Sequence, residues 1–238
     1  MRLDKFVLRS TQLSKPSVIS CIESGEVRVN QDVITDARYQ VHENNYIEYQ
    51  GKQLVPRPFR YLMFNKPVDT ICSNVDGDYP SILNYLEIEN KDELHIAGRL
   101  DADTTGLVLI TDDGRWSFNI MKPETHCEKT YRVTLAKPLI EGVAQRFSEG
   151  LLLQGESKPT LPAKLEHIEV DSTHDSTAEL QVLLTISEGR YHQVKRMFFT
   201  VGNKVRQLHR ENIGNLTVDI PAGTWRYLTI DEVRSLTY

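Results

Sequence analysis

The stretch Gly98-Arg99-Leu100-Asp101-Ala102-Asp103-Thr104-Thr105-Gly106 sets an acid between two glycines and beside a permanent cation. Glycine adopts backbone conformations closed to other residues, so this pair can shape a loop that presents Asp101 to a ligand. Asp101 is therefore the candidate acid. Asp103 and the two threonines are read as capping a turn before the apolar run Leu107-Val108-Leu109-Ile110. A second chemistry-bearing stretch, Gly189-Arg190-Tyr191-His192-Gln193-Val194-Lys195-Arg196-Met197, follows a strand pattern and opens a helix, so its amides and basic side chains can face an anion together. From Gly189 to Arg210 the chain carries Arg190, Lys195, Arg196, Lys204, Arg206 and Arg210, with His192 and His209 and no acid. This electropositive island suits phosphate. Lys204 and Arg206 alone would read as solvated surface cations, and His192 or Gln193 alone as satisfying buried backbone groups.

Two groups of elements must position these stretches. Leu3, Phe6 and Val7, then Val18, Ile19 and Ile22, recur at helical spacing and predict short helices over Arg2–Thr11 and Lys15–Ser24. Ser14 is the expected N-cap, Pro16 fits the first turn, and Gly25 stops the second helix. Strands are expected at Val27–Val29, Asp32–Ile34 and Tyr46–Tyr49, and the polar, proline-bearing stretch Lys52 to Pro58 reads as a linker. The domains are accordingly placed at residues 1–59, a small domain with its linker, and 60–238. Beyond the linker, strands are expected at Tyr61–Phe64, Leu107–Thr111, Thr130–Leu135, Ala163–Val170 and Ala178–Ile186. Helices are expected near Ser81–Glu87, Arg115–Met121, Leu139–Phe147 and His192–Val201, with Asp112-Asp113-Gly114 turning the chain between strand and helix. Strands and helices in this irregular order predict an α+β fold rather than a parallel Rossmann sheet.

Composition bounds the function classes. A chain of 238 residues with 39% hydrophobic and 26% charged residues can bury a substantial core. Arg2, Asp4, Lys5 and Arg9 interrupt any secretion signal and no run could span a bilayer, so a cytoplasmic protein without membrane partners is expected. Cys21, Cys72 and Cys127 are odd in number and lack metal-ligand spacing, which points to reduced structural thiols and no metal site. The net charge of -5 argues against general affinity for nucleic acid, yet its distribution is uneven: residues 1–59 carry +1 and residues 60–238 carry -6.

With both stretches in view the chain resembles the pseudouridine synthases, specifically the RsuA type that modifies one uridine of small-subunit (16S) ribosomal RNA. The resemblance covers Asn65-Lys66-Pro67, the Gly98–Gly106 loop, Cys127-Glu128-Lys129-Thr130-Tyr131, Ile186 to Met197, and Leu208-His209-Arg210 followed by Ile213-Gly214. The first sixty residues resemble an RNA-binding domain of small-subunit ribosomal-protein type (alpha-L), through Arg2-Leu3-Asp4-Lys5-Phe6 and Gly25-Glu26-Val27-Arg28-Val29-Asn30. Here Lys15-Pro16 stands where serine-arginine is usual, Gln31 where glycine follows the asparagine, and Lys195 where many relatives have arginine. Lysine gives a compact charge without arginine's bidentate fork, which leaves Arg196 as the fallback partner for Asp101.

The resemblance implies a catalytic domain with a mixed, mainly antiparallel sheet flanked by helices. It implies an isomerisation that breaks the bond from ribose to the uracil nitrogen and rejoins the base through carbon, with no redox change, no external donor and no cofactor. The target base must leave its helix, so such an enzyme grips RNA by its backbone and takes the extruded nucleotide into a pocket. Asp101 would attack or deprotonate the ribose beside a cation, Lys195, that offsets the cost of sheltering a carboxylate. Tyr131 would offer the uracil a flat face and a proton acceptor near its carbon, against the plainer reading of a half-buried strand tyrosine. Lys66 and Arg99 support the site or merely fix its loop. Arg190, His192, Gln193, Arg196, Leu208 and Arg210 fall in the RNA-binding motifs, and Arg2, Lys5 and Arg28 of the small domain could hold phosphates. The expected partner is 16S RNA, free or in an assembling small subunit, bound by a monomer.

Two other classes compete. Asp101-Ala102-Asp103-Thr104-Thr105 fits the Asp-x-Asp-x-Thr pattern of magnesium-dependent haloacid-dehalogenase-like phosphatases, but that fold wants an apolar strand leading into the first acid, and here the apolar strand follows it. A non-catalytic RNA-binding assembly factor would keep the shape without turnover, against which the set Asp101, Tyr131 and Lys195 speaks.

Overall fold

The computed structural model describes residues 1–42, 44–168 and 180–236, and its chain divides into two compact units, Met1–Phe59 and Arg60–Tyr238.

The first unit begins with α1 (Leu3–Ser10), whose Leu3, Phe6 and Val7 face the core, and α2 (Lys15–Glu23), where the Ser14 hydroxyl accepts from the Ser17 amide at 3.3 Å. A small antiparallel sheet follows, built from β1 (Val27–Val29), β2 (Asp32–Val33), β3 (Ile47–Tyr49) and β4 (Lys52–Gln53) in the order β2-β1-β3-β4. The linker expected from Lys52 is corrected here. A tight turn at Gln50-Gly51 folds Lys52–Gln53 back onto β3, the Leu54 amide donates to the Ile47 carbonyl at 2.8 Å, and Leu54 joins the core. Backbone pairing outweighs the polar composition that suggested a linker. Gln31, in the place where glycine is usual, takes the left-handed conformation that glycine would favour, with φ 78.

The second unit is organised by a nine-stranded mixed sheet. Its strands are β5 (Tyr61–Lys66), β6 (His95–Ala97), β7 (Thr105–Thr111), β8 (Lys129–Leu135), β9 (Lys164–His167), β10 (Gln181–Ile186), β11 (Val205–Ile213), β12 (Leu216–Thr217) and β13 (Trp225–Tyr227). The main path runs β13-β5-β7-β11-β8-β10-β9, with β6 on β7 and β12 on β11; β7 and β11 pair in parallel and the other pairs are antiparallel. β7 is buried on both faces, Leu107 and Leu109 against α3 (Gly114–Met121) and Val108 and Ile110 on the opposite side, which explains its unbroken apolar run. β8 alternates, placing Tyr131, Val133 and Leu135 against a core shared with α4 (Val143–Glu149) and α5 (Gln193–Thr200). The last element is α6 (Ile230–Ser235), closed by a capping box from Thr229 and Glu232.

Several expectations shift. Ser81–Glu87 yields only a 3₁₀ turn at Ile82–Tyr85, and the helix expected from Leu139 starts at Val143, after Gly142. The parts of the expected strands at residues 169–170 and 178–179 lie outside the described residues. β11, the strand at the heart of the sheet, is not among the strands that patterning predicts, although its residues fall in the basic island and in the Leu208-His209-Arg210 motif. Its buried positions include the charged Arg210, and register shifts break its alternation, so periodicity does not reveal it.

Candidate active site

Asp101 lies on the loop between β6 and β7, and that loop is tied down by backbone chemistry. The fully buried Lys66, at the end of β5, donates to the carbonyls of Pro67 (3.0 Å), Ala102 (3.1 Å) and Thr104 (2.9 Å). Burial pulls its pKa below the ordinary lysine value, countered in part by neighbouring acids including Asp103 and Asp101. The Asp69 amide donates to the Ala102 carbonyl at 3.0 Å and the Leu100 amide to the Cys72 sulfur at 3.3 Å. At the start of the loop, buried Arg210 donates to the Gly98 carbonyl, and beyond the loop, within β7, to the Leu107 carbonyl at 2.7 Å. Gly106 has φ +108 and lies against Arg210 of the parallel strand, so a Cβ there would overlap the Arg210 backbone.

The opposite wall is the first turn of α5. Lys195 donates to Asp101 Oδ2 at 2.9 Å and to Asp103 Oδ1 at 2.6 Å, and His192 Nε2 lies 3.2 Å from Asp101 Oδ1. Burial would lower the pKa of Lys195, but the hydrogen bonds and charges of Asp103 and Asp101 outweigh it and hold the ammonium above its usual value. Burial would raise Asp103, and the bond and charge of Lys195 bring it below the carboxylate norm. Asp103 is thus a second carboxylate on the same cation rather than only a turn cap, a contact across 92 residues that local sequence does not signal.

Tyr131 faces the same cleft from β8, paired in register with Arg210 of β11 and Leu184 of β10. The Arg210 guanidinium approaches the Tyr131 hydroxyl at 3.4 Å. Asp101, Lys195, His192, Tyr131, Leu208 and Arg210 all line one cleft of about 760 Å³, and Arg99 and Tyr191 also line it. Leu208 contributes mainly as a buried core residue. His192 takes a left-handed backbone conformation (φ 48, ψ 34), which costs a non-glycine residue roughly 1–2 kcal/mol, and its ring is stacked by Tyr191 at 3.8 Å between centroids.

The basic island is corrected by its partners. Arg190 pairs with Glu188 at 3.0 Å and donates to the carbonyls of Lys158 and Pro159, while Arg196 pairs with Glu156 at 2.9 Å and donates to the Gln154 carbonyl. Arg196 is therefore committed elsewhere and does not serve as Asp101's fallback cation. Gln193 braces the same turn, donating to Glu188 at 2.9 Å and accepting from the Arg190 amide at 2.9 Å. Glu188 stands one residue before the acid-free stretch and Glu156 far upstream, and both reach its arginines in the fold. Lys204, Arg206 and Arg99 remain exposed.

Comparison with known proteins decides what this cleft belongs to. Residues 60–199 match the RNA pseudouridylate synthase family model, and residues 1–46 match the S4 domain. The chain belongs to the RNA pseudouridylate synthase family. It is 45% identical over 238 residues to "Ribosomal small subunit pseudouridine synthase A" of Vibrio cholerae, covering 99% of each chain. Proteins of the same name from Haemophilus influenzae and Escherichia coli K12 are each 44% identical over 239 residues, with 99% of this chain covered and 99% and 100% of theirs. A solved structure described as "Crystal structure of pseudouridylate synthase" matches all of both chains at 43% identity and a TM-score of 0.71. The family displaces the phosphatase reading. The order of the domains is also that of the two models, with the S4 domain first and the mixed-sheet synthase domain second.

Proposed function

We propose that this protein converts one uridine of small-subunit ribosomal RNA to pseudouridine, in free RNA or an assembling subunit, and does so in the cytoplasm as a monomer. The reaction is an isomerisation: the glycosidic C–N bond breaks, a C–C bond to the same ribose carbon forms, the base carbon loses its hydrogen and the nitrogen ends protonated. Asp101 acts on the sugar, as nucleophile or as base. Lys195 orients its carboxylate, and the shared contact with Asp103 fixes a flexible ammonium that lacks a guanidinium's fork. Tyr131 lies against the base, with Arg210 at its hydroxyl. Lys66, Gln193, Arg190 and Arg196 are positioning residues, since their polar atoms are spent on the loops that frame the cleft. Arg99 and the small domain's Arg2, Lys5 and Arg28 are the candidates for phosphate; Lys5 is exposed, whereas Arg2 is paired with Asp4 and Arg28 donates to the Gln31 carbonyl.

The observation that carries this reading is the Asp101–Lys195 contact of 2.9 Å in the cleft that also holds Tyr131. The test is to incubate the purified full chain with small-subunit and large-subunit ribosomal RNA separately and to map pseudouridine in each. Pseudouridine at one position of the small-subunit RNA is expected. Modification of the large-subunit RNA alone, or of neither, contradicts it.

A further inference from the structure

Tyr191 is the anomaly at the mouth of the cleft. The residue is 76% exposed, yet it is not loose: its ring lies on the His192 imidazole at 3.8 Å between centroids and 21° between planes. His192 in turn contacts the Asp101 carboxylate at 3.2 Å. The three groups form a continuous path from the reacting acid to solvent, with the inner face of the tyrosine ring covered by an imidazole and the rest of the ring open. The core gains little from a tyrosine so placed. His192 holds its position in a left-handed backbone conformation that glycine would take without strain, so the side chain, not the backbone, accounts for the residue there.

We propose that Tyr191, backed by His192, is a stacking platform for an RNA base next to the nucleotide that enters the cleft. Pulling one nucleotide out of a strand leaves the faces of its neighbours uncovered, and a flat aromatic ring beside the entrance can cover one of them whatever its identity. Arg99 lines the same cleft and is exposed, which puts a cation for the backbone near the platform. The division of labour is a ring for a base face and a guanidinium for a phosphate. This inference rests on the proposed function above, because it requires RNA at this cleft.

The experiment measures affinity of the full chain for small-subunit ribosomal RNA over a salt series, together with the single-turnover rate of pseudouridine formation at saturating enzyme. Tyr191→Ala is expected to weaken binding roughly 5- to 150-fold, the equivalent of one lost stacked base, with a larger effect on affinity than on rate. Tyr191→Phe and Tyr191→Trp, which keep the ring, are expected to bind like the unaltered protein. The slope of log affinity against log salt should be unchanged by Tyr191→Ala and reduced by about 0.7 by Arg99→Ala, since only the second removes a phosphate contact. Unaltered affinity in Tyr191→Ala overturns the proposal. So does a loss confined to rate, which would make the ring a brace for His192, or an equal loss in Tyr191→Phe, which would assign the effect to the hydroxyl. Failure of the unaltered protein to form pseudouridine overturns the functional reading instead, and the affinity comparison among the variants separates the two.

Discussion

A lysine shared by two carboxylates behaves differently from an isolated ion pair. Asp103 takes the shorter of the two contacts to Lys195, and Asp101 the longer, so the ammonium is held in place by the acid that is more exposed. The same kind of sharing appears at the other end of the chain, where Arg226 bonds Asp219 at 2.8 Å and Glu232 at 2.7 Å. There the hydrogen bond from Arg226 pulls the pKa of Glu232 down to about 2, from an ordinary value of 4.5. Because the folded value is depressed, the stability contributed is fully present above 4.5 and is lost as pH falls through about 2. Glu232→Gln should therefore lower the melting temperature at pH 7, and the gap from the unaltered protein should narrow as pH is taken from 5 to about 2.5. A gap that does not change with pH would show that the carboxylate's charge is not what stabilises α6.

At the scale of elements, the site depends on how closely β7 and β11 approach. The parallel pairing sets Gly106 opposite Arg210, and the same arginine binds the carbonyls of Gly98 and Leu107 and reaches Tyr131 on β8. One side chain thus links the acid's loop to the tyrosine's strand. Gly106→Ala is expected to destabilise the protein by about 2–4 kcal/mol, through both the positive φ and the overlap with Arg210. In a unit of this size that is a fall in melting temperature of roughly 5–15 °C, with reduced activity. An unchanged melting temperature would mean that the two strands can separate at no cost. Much of the arrangement around them was legible: the apolar run of β7, the alternation of β8, the Ser14 cap and the helix opening at His192 all follow from local rules. β11 was not, because a buried arginine and broken register conceal a strand from any periodic pattern. β6, β12 and β13, of two or three residues each, are too short to signal themselves, and their positions are set by partners.

For the whole molecule, charge is divided between a small unit at +1 and a larger one at -6. The island that looked like the larger unit's RNA surface is mostly spent internally, through Glu188, Glu156 and backbone carbonyls. Sequence showed which residues were charged, and only the folded chain showed which charges were already answered. What sequence did locate was the loop that carries the acid and the helix turn that carries its cation, stretches 94 residues apart that the fold brings to 2.9 Å. Among the described residues no helix is long and apolar enough to cross a membrane.

The proposed role of the Asp101 carboxylate in the chemistry is tested by Asp101→Asn, with little change of shape. Full-length Asp101→Asn, mixed in excess with small-subunit ribosomal RNA under single-turnover conditions, is predicted to bind as the unaltered protein does while forming pseudouridine about 10³-fold more slowly or not at all. Pseudouridine formed at the unaltered rate would contradict the account.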